Sequence, residues 1–246
     1  MTVALITGAA SGIGAAVARR IARPGMRLLL HTRKNADGLS ETAAAAEAAG
    51  AVVETALADL AEPDGGAAVV GRALEAFGRL DWLIANAGFA DRRAIADLPA
   101  DGLRASLNPI ADGFFRMAQS ALPALQASER GQVVAVSSFV AHRFPPSGDV
   151  FAASAKAALE AFAKALAAEL APSRATVNVV APGYTRKDPG AHVAISPERL
   201  AEITGRIPLG RLATPEDCAA AIAFFLSDDA AYLTGQVLHV DGGLGL

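Results

Sequence analysis

Thiol chemistry is nearly absent from this chain: Cys218 is the single cysteine in 246 residues. An internal disulfide is thereby excluded, and the composition fits a reducing compartment. Within an apolar helical stretch such a residue reads as a small buried side chain rather than a reactive thiol. Charge imbalance is also missing. A net charge of −3 gives no electrostatic basis for a nucleic-acid partner. No uninterrupted apolar run reaches the roughly 18 residues that a membrane span needs. The first residues lack a basic region followed by a long apolar run, so no secretory signal is expected. A soluble, cytoplasmic protein without membrane partners is the expectation.

What the chain does have is core. At 52% hydrophobic and 19% charged residues it can bury a large interior, which excludes disorder. Apolar β-rich runs at 2–7, 26–32, 51–56, 81–85, 131–136, 175–181 and 236–240 alternate with helix-like stretches at 13–23, 40–49, 64–77, 101–127, 150–171 and 215–227. Runs such as Val133-Val134-Ala135-Val136 are apolar throughout, as strands covered on both faces are. The β-then-α order predicts an α/β fold, a Rossmann-type doubly wound parallel sheet of seven strands flanked by helices. Turn residues fall between the runs and no low-complexity linker divides them, so residues 1–246 read as one domain. The stretch 183–212 has weak periodicity and several breakers, and reads as a substrate flap.

The chain is organised around Thr7-Gly8-Ala9-Ala10-Ser11-Gly12-Ile13-Gly14, a glycine turn between the first strand and the first helix. Such a turn lets backbone approach a pyrophosphate and aims the helix N-terminal N–H groups at its charge. No Gly-Lys-Ser/Thr follows, which excludes a kinase-type phosphate loop. Ligands of doubly wound sheets sit at the C-terminal ends of the strands, so the residues after each strand matter most. After the second come Arg33 and Lys34, where an NAD-preferring site has a carboxylate; a guanidinium there can clamp a 2′-phosphate. That favours NADP(H) over NAD(H), against the alternative of a solvated basic loop. Asp59-Leu60 follows the third strand, offering an acceptor for an adenine amino group or a helix cap. Asn86-Ala87-Gly88 follows the fourth, small enough for a ring or ribose to lie on backbone, with Asn86 able to brace neighbouring strand ends. Ser137-Ser138 and Pro182-Gly183-Tyr184-Thr185 follow the fifth and sixth. All of these line one crevice.

Taken together, these motifs resemble the short-chain dehydrogenase/reductase family over nearly the whole chain. The matches are Thr7-Gly8-x3-Gly12-x-Gly14, Asn86-Ala87-Gly88, Asn108, Ser138, Pro182-Gly183 with Thr185, and the ending 233–243. The resemblance implies a nicotinamide cofactor bound by Thr7, Gly8, Ser11, Gly12, Ile13, Gly14, Arg33, Lys34, Asp59, Leu60, Asn86, Ala87, Gly88, Lys156, Pro182, Gly183 and Thr185. It implies that Ser138 orients a substrate carbonyl, that Asn108 supports a water relay and that Lys156 holds the ribose. A small-molecule substrate, a homodimer or homotetramer and no metal complete the expectation. Ala- and Leu-rich outer faces at 101–127 and 150–171 are compatible with helix-mediated assembly.

One departure stands out. The family places a proton-transferring tyrosine one helical turn before its lysine, whereas residues 150–159 here read Val-Phe-Ala-Ala-Ser-Ala-Lys-Ala-Ala-Leu. Counting from Ser138 puts the position at Phe151; counting back from Lys156 puts it at Ala152. Ala152 shares a helical face with Lys156, while Phe151 would need an extra residue or bulge at the helix start. Bound water, His142, Asp149 and Tyr184 are the available substitutes for the hydroxyl. Two readings follow: an NAD(P)(H)-dependent oxidoreductase acting on a carbonyl or alcohol with atypical proton transfer, or a non-catalytic cofactor-binding or oligomer-partner protein on the same fold. Pro145-Pro146 and the flap would shape the substrate pocket.

Overall fold

Val3, Ala4, Leu5 and Ile6 are completely buried, as are Leu28, Leu29 and Leu30. Strands so apolar are stable only with both faces covered. In the computed structural model, which describes residues 1–88, 95–97, 99–143, 149–186 and 196–246, they form the middle of one seven-stranded sheet. Its strands are β1 (Thr2–Thr7), β2 (Met26–Thr32), β3 (Val52–Leu57), β4 (Trp82–Ala85), β5 (Gln132–Val136), β6 (Thr176–Pro182) and β7 (Val237–Val240). Their order is β3-β2-β1-β4-β5-β6-β7, and every neighbouring pair is parallel. The edge strands β3 and β7 are the ones that carry exposed residues.

The helices are α1 (Gly12–Ile21), α2 (Ala36–Ala48), α3 (Gly65–Phe77), α4 (Gly102–Leu107), α5 (Gly113–Ala127), α6 (Val150–Leu170), α7 (Pro197–Gly205) and α8 (Pro215–Phe225). Helices α3, α5 and α6 bury their apolar stripes with one face of the sheet, through Val69, Phe114, Met117, Leu159 and Leu166. Helices α1, α2 and α8 cover the other face through Val17, Leu39 and Ile222. This is the Rossmann-type doubly wound fold, and its topological switch point lies between β1 and β4. No described helix is long and apolar enough to cross a membrane.

Three elements differ from the sequence expectation. The single helix expected over 101–127 is α4 and α5 joined by a π turn over Asn108–Asp112. Pro109 has no N–H to give and its ring crowds the preceding turn, so the chain widens there; the Gly113 N–H reaches back to the Asn108 carbonyl. Helix α2 begins at Ala36 rather than 40, because the Asn35 carboxamide caps it by accepting from the Gly38 N–H. The stretch 183–212, expected without helix, contains α7, started by Ser196 accepting from the Arg199 N–H and by Pro197 at its first position. Pro145, Pro146 and residues 187–195 of the stretch read as a flap lie outside the described residues.

At the end of the sheet away from the strand C-termini, Asp81 ties β1 to the turns that lead into β4 and β5. Its carboxylate accepts from the Val3 N–H at 2.8 Å, from Ser128 Oγ at 2.6 Å and from the Arg79 guanidinium at 2.7 and 3.0 Å. Burial works against its charge, but these donors outweigh it and hold the carboxyl below the usual carboxylate range. The resulting stabilisation is complete above the unfolded-state value near 3.8 and is lost as pH falls through the folded value. Asp81→Ala is expected to cost about 2–4 kcal/mol in urea denaturation at pH 7, with the deficit shrinking in acid. Asp228→Ala, which removes an exposed partner of Arg130, should stay within about 0.5 kcal/mol of the native protein.

Candidate active site

The glycine turn is held by a shortage of space. A Cβ on Gly14 would overlap the Gly8 carbonyl oxygen, and one on Gly8 would lie 2.8 Å from Asn86 Nδ2. Gly8 and Gly12 also adopt positive φ, +68° and +54°, where side chains are strained. The Asn86 carboxamide donates to the Thr7 carbonyl at 2.9 Å and to the Gly8 carbonyl at 3.2 Å. In return, Thr7 Oγ1 accepts the Asn86 and Ala87 N–H groups at 3.0 and 3.1 Å. Thr7 is fully buried, so it serves the site by locking β1 to β4. Ser11 is exposed and makes no capping bond to α1, whose first turn carries no acidic residue. The positive end of α1 therefore faces outward at the switch point. Ile13 is half-buried and packs on the core under α1.

Beyond β2 and β3 the structure brings together two residues that the sequence singled out separately. Arg33 Nη1 lies 3.6 Å from Asp59 Oδ2. Asp59 Oδ1 accepts the Ala61 N–H at 3.0 Å, and Leu60 is buried behind it. Lys34 is exposed beside Arg33. His31, under this corner, bonds the Ala58 carbonyl through Nε2 at 2.9 Å, and burial pushes its pKa down. Neutral His31 leaves Arg33 and Lys34 as the cations of this rim.

The other end of the crevice lies where β4, β5 and α6 meet. A Cβ on Gly88 would come 2.9 Å from Ile110 of the π turn and 3.7 Å from Lys156 Nζ. The π turn, with Asn108 at its start, therefore stands against the end of β4 and close to the lysine. Lys156 donates to the Val136 carbonyl at 2.6 Å. Burial pushes its ammonium down to about 8, against the opposing pull of the Glu160 charge. Ser138 is half-buried at the start of a 3-10 turn over Phe139–Ala141, its Oγ weakly accepting the Val140 N–H at 3.5 Å. After β6, Gly183 passes so close to Asp241 that a Cβ would lie 2.8 Å from the Asp241 Cα. The buried Pro182 precedes it, and Thr185 Oγ1 donates to the Gly183 carbonyl at 3.2 Å. Cys218 lies 3.9 Å behind Thr185, its thiol pushed up to about 11 by burial and so unreactive.

Comparison with known proteins identifies the family. Residues 8–245 match the family model described as enoyl-(acyl carrier protein) reductase. An uncharacterized oxidoreductase of Methylorubrum extorquens is 34% identical over 244 residues, covering 98% of this chain and 97% of that protein. The 3-oxoacyl-(acyl-carrier-protein) reductase of Escherichia coli is 32% identical over 242 residues, covering 98% and 96%. A short-chain dehydrogenase from Burkholderia cenocepacia, solved in complex with NADP, superposes with a TM-score of 0.92 at 33% identity, covering 100% of this chain and 98% of that one. The chain belongs to the short-chain dehydrogenase/reductase family. It is thus one of a family of oxidoreductases built on a nicotinamide-binding fold.

In this short-chain dehydrogenase/reductase, α6 runs as an α-helix from Val150 to Leu170. Ala152 therefore stands one turn before Lys156 on the same face. It packs with Val140 and Ala153 beside the Ser138 turn. Phe151 points elsewhere: a Cβ on Gly102 would overlap its ring, so the phenyl group lies on the first residue of α4. The two tyrosines lie outside α6. Tyr184 stacks on Phe139 with ring centroids 4.8 Å apart, and Tyr232 is fully exposed.

Sequence reasoning missed Glu160. It is buried on α6, and its carboxylate accepts from Ser137 Oγ and pairs with His142 Nε2 at 2.8 Å. The only signal was a carboxylate one turn after Lys156, on a helix that also carries Lys164 and Glu169. The Thr7 brace admits a direct test. Thr7→Val leaves two N–H groups without their acceptor and is expected to cost about 1–3 kcal/mol in urea denaturation, whereas Thr7→Ser should stay near native.

Proposed function

We propose that the protein is an NADP(H)-dependent oxidoreductase that moves hydride between the nicotinamide and a carbonyl or alcohol carbon of a small molecule, without a tyrosine hydroxyl in the proton path. The observation that carries this reading is the convergence of Lys156, Gly88 and the π turn at one strand end, on the same crevice as the N-terminus of α1. The residues fit the cofactor: the backbone of Gly8, Gly12 and Gly14, with Ser11 and Ile13, forms a cradle without side chains for a pyrophosphate. Arg33 and Lys34 suit a 2′-phosphate, and Asp59-Leu60 suits the adenine. Ala87, Gly88 and Lys156 suit the nicotinamide ribose, and Pro182, Gly183 and Thr185 the carboxamide. Bound there, the cofactor supplies the hydride.

The chain's own groups supply the rest. Ser138 orients the carbonyl, Asn108 and Lys156 hold water and ribose, and Ala152 occupies the family's tyrosine position. The regular start of α6 supports Ala152 over Phe151 for that position. Residues 183–212 serve as the flap: Ile203 and Ile207 pack with Leu212 and Leu244 against Tyr184 and Phe139, the residue after Ser138. A homodimer or homotetramer through α5 and α6 is supported by Phe115, 43% exposed and edge-on to Phe162. Light scattering at micromolar concentration should report at least twice the chain mass.

NADPH titration followed by reductase assays on ketones, quinones and activated enones tests the reading. Binding with turnover supports it; binding without turnover across the panel favours a non-catalytic role. Ala152→Tyr is expected to raise ketone reduction by about tenfold or more, and Phe151→Tyr to leave it unchanged. Arg33→Ala should weaken NADPH binding by roughly 10–100-fold and leave NADH binding alone, as read by cofactor fluorescence.

A further inference from the structure

Glu160 occupies a place where a carboxylate needs a reason. It is 5% exposed on α6, one residue after the buried Leu159 and in the same helix as Ala163 and Leu166 of the core. A charge so placed is tolerated only when paired, and both its oxygens are engaged. Ser137 Oγ donates to Oε1, and His142 Nε2 lies 2.8 Å from Oε2. With Nε2–H committed to the carboxylate, the neutral ring keeps its lone pair on Nδ1.

The two ends of this chain of bonds lead to different surroundings. His142 has 39% of its side chain exposed. It stands at the wall of a cavity of about 380 Å³ that also borders Arg143, His239 and Asp241. Its ring is edge-on to His239 with centroids 4.7 Å apart. The inner end lies on the same face of α6 as Lys156. Glu160 follows Lys156 by one helical turn, and the lysine bonds Val136 while the glutamate bonds the adjoining Ser137.

We propose that His142 and Glu160 form a proton relay from solvent to Lys156, serving the reduction where other family members use a tyrosine hydroxyl. The inference rests on the oxidoreductase reading. The substrate oxygen takes its proton from the Lys156 ammonium, directly or through one water. The amine so formed takes a proton, through one water, from Glu160, which draws it from His142 Nε2; Nδ1 takes one from water, and exchange of the Nδ1 proton for one on Nε2 through solvent restores the starting tautomer. One solvent proton enters for each hydride transferred, and no other bond changes. Glu160 and His142 act through Lys156 and do not touch the substrate. Among the described residues, the charged groups facing His142 are Glu160 from α6, His239 and Asp241 from the end of β7, and Arg143 of its own turn. Glu160 is the one that also acts on Lys156.

Two measurements test the relay. In the cofactor-free protein, NMR titration of lysine Cε signals should show the Lys156 midpoint falling in Glu160→Gln, because the negative charge one turn away is gone. With NADPH and a ketone that the native enzyme reduces, His142→Ala should lower kcat by about tenfold or more. KM and NADPH affinity should hold, and added imidazole should restore the rate. The exposed His142 ring can be removed without opening the core, so this arm stands even where Glu160→Gln fails to fold. Native protein that reduces nothing defeats the oxidoreductase reading. Native turnover with His142→Ala at full rate, or with an unmoved Lys156 midpoint in Glu160→Gln, defeats the relay alone.

Discussion

Between the Gly8 carbonyl and the backbone of Gly14 there is no room for a methyl group, and the rest of the crevice depends on that contact. It forces the chain to turn from β1 into α1 within a few residues. The start of the helix is thereby set directly over the switch point of the sheet. Asn86 then reaches both carbonyls of the turn from β4, and Thr7 returns two bonds to the strand that sent it. Backbone and carboxamide are thus knitted into one rigid corner before any ligand is considered. A preorganised cradle of this kind binds without the cost of ordering flexible groups.

The other end of the crevice is governed by burial of charge. Lys156 and Glu160 share one face of α6, each held by a neighbouring residue at the end of β5. An ammonium brought near neutrality by burial exchanges its proton readily. Such an amine can serve as an acid, provided that something recharges it. The carboxylate one turn away and the imidazole beyond it have the order that such recharging needs. Ala152, small and enclosed by Val140 and Ala153, keeps the turn beside Ser138 apolar.

How much of this was legible follows from which interactions are local. The strands were legible because burial on both faces leaves an unbroken apolar run, and their neighbours in the crevice followed from the rule for doubly wound sheets. The turn at Thr7–Gly14 was legible because glycine spacing reports steric demand directly. Helix α7 was passed over although Ser196-Pro197-Glu198 carries its start signal, because its neighbours Gly205, Pro208 and Gly210 dominate the composition. The break between α4 and α5 hid for the opposite reason: Pro109 was read inside a strong helical pattern that continues on both sides. Glu160 was invisible because its meaning lies in Ser137 and His142, which are distant in sequence and adjacent only after folding. The directions of Phe151 and Ala152 likewise depend on where α6 begins, which letters alone leave open.

The π turn at Asn108–Asp112 has a geometric consequence for how this site tolerates change. Each residue advances a helix by about 100°, so the surplus residue works as a vernier between α4 and α5. Gly102 in α4 is free to face the Phe151 ring while Phe114 in α5 faces the sheet, two directions that an uninterrupted helix would couple. The wall of the pocket and the wall of the core can therefore drift independently, each keeping its own register. A single-residue deletion in the turn would bring the two back into step and force one of them to give way.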